Sequence, residues 1–113
     1  MRTVTLGISS RESTSRRFVR AFEGEPQGAF ISFDSPSLLF KVLTGKRWEL
    51  LKLMTGAGPM AIREAARRSG RDVKPVHGDV QALLKSGILQ KTEKGLIEFP
   101  FDSVRVDFTL KAA

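Results

Sequence analysis

The sequence predicts a mixed domain, α/β (α+β), with strands toward both ends and helices through the middle. Three observations predict it. Residues 3–8 and 104–110 alternate apolar and polar side chains, the period-two pattern of a half-buried strand. Between Ser35 and Lys85 the apolar residues recur three and four positions apart, as on one face of a helix. After Gly87 an alternating stretch turns back on itself at Glu93-Lys94-Gly95, which predicts a hairpin.

The elements follow in order. Val4, Leu6 and Ile8 share one face of the first strand. Ser9, with Glu12 three residues on, matches a capping box and predicts a helix over residues 9–23. Phe18, Val19 and Phe22 form its apolar stripe, and Gly24 stops it. Glu25-Pro26-Gln27-Gly28 reads as a turn, and residues 29–33 as a second strand with Ala29, Ile31 and Phe33 on one side. Ser35-Pro36 supplies a hydroxyl cap followed by proline at the first helical position. Leu38, Leu39, Val42 and Leu43 then keep helical spacing until Gly45 breaks or bends the helix. Residues 46–55 carry Trp48, Leu50, Leu51, Leu53 and Met54 over a wide arc, which predicts a central core helix with Trp48 inside.

Gly56-Ala57-Gly58-Pro59 separates that helix from the next, whose stripe is Ile62, Ala65 and Ala66. Ser69-Gly70-Arg71 is a turn. Asp72 is placed to cap a further helix of about residues 72–86, with Pro75 in its first turn. Val76, Val80, Leu83 and Leu84 face inward, leaving Lys74, His77, Gly78, Gln81 and Lys85 outside. The hairpin spans about residues 88–99. Ile97, Phe99 and Phe101 share one face, with Pro100 at the strand's end. Helix, tight glycine turn, helix, glycine and hairpin is the layout of a winged helix-turn-helix, which presents one helix to a DNA major groove. The predicted organisation is one domain over residues 1–113. It comprises a β–α–β extension (1–35), the helix-turn-helix and wing (36–101) and a C-terminal strand (102–113).

Charge agrees with that placement. The formal net charge is +7. Residues 41–87 hold ten Lys/Arg against four Asp/Glu, whereas residues 1–40 hold five against four and residues 88–113 four of each. A positive field concentrated on the helical middle attracts polyanions. The composition, 41% hydrophobic and 27% charged, is that of a soluble globular protein, and no apolar run approaches the length that spans a bilayer. The alternating N-terminus does not read as a signal peptide. With no cysteine there are no disulfides and no thiolate metal sites, and a reducing cytoplasm is the expected location.

The stretch from Met60 to Phe99 resembles the winged helix-turn-helix regulators of the MarR and ArsR kind. Residues Val76 and Val80-Gln81-Ala82-Leu83-Leu84-Lys85-Ser86-Gly87-Ile88-Leu89 are similar to the recognition helix and first wing strand of that superfamily. Over nearly its full length the chain resembles a group of small prokaryotic DNA-binding regulators. They carry a β–α–β start, a run like Gly70-Arg71-Asp72-Val73-Lys74 and a close like Val104-Arg105-Val106-Asp107-Phe108. The resemblance implies transcription regulation, a two-fold homodimer and, for members encoded beside toxins, an antitoxin role. Without cysteine, the thiolate metal sensor of ArsR proteins is absent.

The expected DNA-binding residues are Arg67, Arg68, Arg71, Lys74, His77, Gln81, Lys91 and Lys94. Gln81 is suited to a bidentate contact with adenine, or is an ordinary surface glutamine. His77 is placed to donate to a base edge or a phosphate, or is solvated. Arg71 and Lys74, at the helix start, can reach guanine or phosphate. Arg67, Arg68, Lys91 and Lys94 are expected beside phosphates, where they add affinity without base information. Gly78 either lets the helix lie close to a DNA backbone or marks a surface that no longer reads bases.

No enzyme is expected. There is no nucleophile elbow with a triad, and Gly56-Ala57-Gly58 lacks the rest of a phosphate loop. A single histidine without cysteine argues against a transition-metal site, and no cofactor is expected. The first functional expectation is a sequence-specific regulator of double-stranded DNA. The second is a protein-interaction module such as an antitoxin that masks a toxin protein. RNA binding is weaker, because no set of exposed stacking aromatics stands out. Residues 1–35 and 102–113 are the candidate dimer surface.

Overall fold

The structure is a computed structural model that describes residues 2–8, 29–110 and 112. The helix expected over residues 9–23 and the turn after it lie outside the described residues.

Ser35 and Thr44 start the first two helices among the described residues in the same way. Each holds extended backbone at the cap, and each side-chain oxygen accepts an N–H three residues on: Leu38 at 3.2 Å and Arg47 at 3.4 Å. Helix α1 is Pro36–Val42, with Leu39 buried. Helix α2 is Gly45–Met54, with Leu50, Leu51 and Met54 buried. The expected break at Gly45 falls instead at Leu43 and Thr44, and Gly45 is the first residue of α2. The threonine cap, rather than glycine flexibility, sets the boundary. Trp48 is half-buried and lies outside the buried core, contrary to expectation, because Leu50, Leu51 and Met54 form the inward face.

Helix α3, Ile62–Ser69, buries Ala65 and Ala66 completely or nearly so. Helix α4, Val73–Lys85, buries Val76, Val80 and Leu83. The turn between them rests on Gly70, whose φ of 68° places it in the left-handed region; its N–H returns to the carbonyls of Ala66 and Arg67. Asp72 occupies the N-cap position of α4, but its carboxylate makes no cap hydrogen bond.

Among the described residues the strands form two sheets. In the first, β1 (Thr3–Ile8) lies between β2 (Ala29–Phe33) and β5 (Ser103–Asp107), and both pairings are parallel. The register aligns Val4 with Ala29 and Val104, and Leu6 with Ile31 and Val106. These residues therefore share one pleat face, on which Val4 and Leu6 are fully buried. The two ends of the chain are thus strands of one sheet. Asp102 secures their start: its carboxylate accepts from Arg2 N–H at 2.8 Å, and its own N–H returns to the Arg2 carbonyl at 2.8 Å.

The second sheet is the hairpin β3 (Gln90–Lys91) and β4 (Ile97–Glu98), turning at Thr92–Gly95. It is much shorter than its alternating pattern suggested. Met60, just before α3, extends it by one antiparallel bridge to Ile97, with N–H···O distances of 2.9 and 2.8 Å. Ile88, Leu89, Ile97 and Phe99 are buried and join the helices and β1 in one core.

Candidate nucleic-acid interface

Helix α4 is seated by its aliphatic side, and its opposite side is open. Val76, Val80 and Leu83 are 0% exposed, while Lys74, His77, Gly78, Gln81 and Lys85 are all exposed. At 1.5 Å per residue, the row from Lys74 to Lys85 is ~16 Å long. It carries two lysines, a histidine and a glutamine, and no carboxylate. A Cβ built on Gly78 would meet nothing within 4 Å, so the backbone there can be approached closely.

Arg71 departs from expectation. Its side chain is only 22% exposed, and its Nη2 donates to Asp79 Oδ2 at 2.7 Å. The other carboxylate oxygen, Oδ1, accepts from Arg47 Nε on α2 at 3.0 Å. Arg47 also donates through Nη1 to the carbonyls of Val42 at 3.0 Å and Lys41 at 3.4 Å, the end of α1. One carboxylate on α4 thus joins the interhelical turn to α2, and through Arg47 to α1. Burial pushes the Asp79 carboxyl up, but the two guanidiniums outweigh it and hold it below its ordinary value. Arg71 is therefore a clamp within the fold rather than a freely presented base reader.

Arg67 and Arg68 are exposed and share Glu64 on the same helix. Arg68 Nε lies 3.0 Å from Glu64 Oε1, and Arg67 Nε lies 3.3 Å from Oε2. Hydrogen bonds from Arg67 first, then Arg68, hold the Glu64 carboxyl below its usual range. Two cations against one anion leave this trio with a positive charge at the surface. Lys91 and Lys94 are exposed on the hairpin strand and tip. Across the strands, Gln90 Nε2 donates to Glu98 Oε1 at 2.7 Å.

The structure thus gathers Lys74, His77 and Gln81 on one face. It leaves Arg67 and Arg68 on α3 and the two lysines on the hairpin, and it withdraws Arg71 into an ion-pair network. Sequence reasoning missed Asp79 and Arg47. The signal was present, since a carboxylate between Val76 and Val80 on an inward-facing helix side requires a cation. Lys85 also belongs to the exposed row. Among the described residues no group of three or more His, Asp or Glu side chains is arranged to hold a metal ion, and no helix is long and apolar enough to cross a membrane.

A family model, HVO_A0114, matches residues 42–106, more than half of the chain. The chain belongs to the HVO_A0114 family. The matched segment runs from the end of α1 into β5, so it contains the clamp, the exposed row of α4 and every residue of the candidate interface. No curated relative and no solved structure matches the chain.

Proposed function

We propose that this member of the HVO_A0114 family is a sequence-specific double-stranded DNA-binding transcriptional regulator of winged helix-turn-helix type. In this reading α4 enters the major groove and the β3–β4 hairpin acts as the wing. The observation that carries it is the carboxylate-free row of Lys74, His77, Gly78, Gln81 and Lys85 on a helix whose other side is buried. Gln81 and His77 read base edges, while Lys74, Lys85, Arg67, Arg68, Lys91 and Lys94 neutralise phosphates. The protein acts as a two-fold dimer, with its recognition helices about one DNA turn apart. No covalent step is required.

The test is a fluorescence-anisotropy titration of the protein against its own upstream DNA and a shuffled duplex, over a range of salt. Six neutralised phosphates per module give a log–log salt slope of roughly −5. Gln81→Ala costs about 1–3 kcal/mol on the preferred duplex and relaxes preference at one position per half-site. An equal loss on preferred and shuffled duplexes would refute base reading by Gln81.

A second reading, a module that neutralises a partner protein, is favoured by Phe40. The residue is 58% exposed, and its ring meets Phe108 edge-on at 5.5 Å. In that case the protein's action survives charge reversal at Arg67, Arg68 and Lys74, which the clamp does not use, and fails in Phe40→Ser.

A further inference from the structure

A cleft of about 570 Å³ opens between α2 and the C-terminal end of α3. Leu50 and Leu53 give it an apolar floor, and Lys46, Lys52, Arg68 and Arg71 stand around it. The acids nearby are outnumbered. Glu49 pairs with Lys52 at 3.4 Å. Glu64 is divided between Arg67 and Arg68, and Asp79 between Arg47 and Arg71. Each of the last two trios keeps one positive charge, and Lys46 adds another. The carbonyls at the end of α3 are already occupied: Ala66 accepts from Ser69 Oγ at 3.0 Å and Arg71 N–H at 3.1 Å, and Arg67 from Gly70 N–H at 3.2 Å. They therefore do little to offset the cations. Arg71 Nη1 is buried and has no hydrogen-bond partner among the described residues.

We propose that this cleft binds a small organic phosphate. Phosphate oxygens accept from guanidinium and ammonium groups, which Arg68, Arg71, Lys46 and Lys52 supply around the cleft. The volume is that of a small-ligand pocket, and its leucine floor suits the non-phosphate body of such a molecule. A duplex backbone is too broad to bring any apolar part onto a recessed floor. Arg71 gives the site a consequence. Arg71 lines the cleft and also holds Asp79 on α4, so a charge bound there acts on the clamp that orients that helix. The site stands without base reading by α4: of its cations only Arg68 is also assigned to DNA phosphates, and Lys46, Lys52 and Arg71 are not.

Isothermal titration of the intact chain with inorganic pyrophosphate and with adenosine monophosphate, at low salt, tests the proposal. The expected result is saturable binding of one molecule per chain, with the monophosphate nucleotide gaining from the apolar floor. Lys46→Ala/Lys52→Ala weakens it by about tenfold or more, as loss of two nearby charges requires, with an unchanged circular dichroism spectrum. His77→Ala/Gln81→Ala leaves it intact. No saturable binding of either compound, or binding that ignores the double lysine variant, overturns the proposal. A duplex that displaces the nucleotide and itself loses affinity in the lysine variant would assign the cleft to backbone phosphates, and that also overturns it.

Discussion

Replacing Asp79 by alanine removes the acceptor shared by two arginines. The Asp79 side chain is 15% exposed and each guanidinium residue 22%, so all three are mostly out of water. Each charge-assisted hydrogen bond is worth about 1.5–3 kcal/mol, and the substitution deletes two. It also leaves the cations partly buried without their anion. Arg47 keeps the Val42 carbonyl at 3.0 Å, and residual solvent reaches both arginines, which lowers the loss. The net cost is about 3 kcal/mol, the low end for breaking a buried pair. For a domain of this size, that lowers the melting temperature by about 10 °C. Thermal and urea unfolding followed by circular dichroism give the value. A double-mutant cycle with Arg71→Met isolates the pair, because Asp79→Ala costs less once Arg71 is gone. An Asp79→Ala protein that melts within about 2 °C of the parent, or the same cost in both backgrounds, would refute the clamp.

The same carboxylate sets a pH dependence. Its folded value lies below the ordinary one, so its contribution is present above the unfolded value and is lost as pH falls through the folded value. The stability gap between parent and Asp79→Asn, read from urea midpoints, is therefore constant well above the ordinary value of 3.8 and narrows as the pH falls below it. A Cβ at Gly7 would lie 2.7 Å from the Phe30 ring and 3.1 Å from the Asp107 carbonyl. Gly7→Ala thus destabilises by about 1–3 kcal/mol, and Phe30→Leu recovers part of it in the same unfolding assay. Leu83→Ala empties a fully buried site and costs about 2–5 kcal/mol, measured as a lower urea midpoint. Ser35→Ala removes the cap of α1 and costs about 1 kcal/mol by the same measurement.

Among the described residues, the strands, the helices after Ser35 and the outward row of α4 were legible from residue spacing alone. Period two at Val4 and Leu6 matches the buried face of β1, and Val76, Val80 and Leu83 match the buried side of α4. These follow from local geometry, because spacing dictates which side chains share a face. Helix starts at Ser35 and Thr44 are equally local, although glycine at position 45 misdirected the second boundary. The hairpin was legible in place but not in extent. Its flanking residues Ile88, Leu89 and Phe99 are buried in the core without ladder pairing.

Residue order along the chain established the elements, their inward and outward faces, and the concentration of positive charge between residues 41 and 87. Folding in three dimensions added what depends on distant partners. It joined β1 to β5 across about a hundred positions, drew Arg71 from the expected interface onto Asp79, and opened a cationic cleft between α2 and α3. Periodicity reports the direction of a side chain about its own helix or strand. The partner it meets there is set by packing, in which Arg47 and Asp79, thirty-two residues apart, come within 3.0 Å.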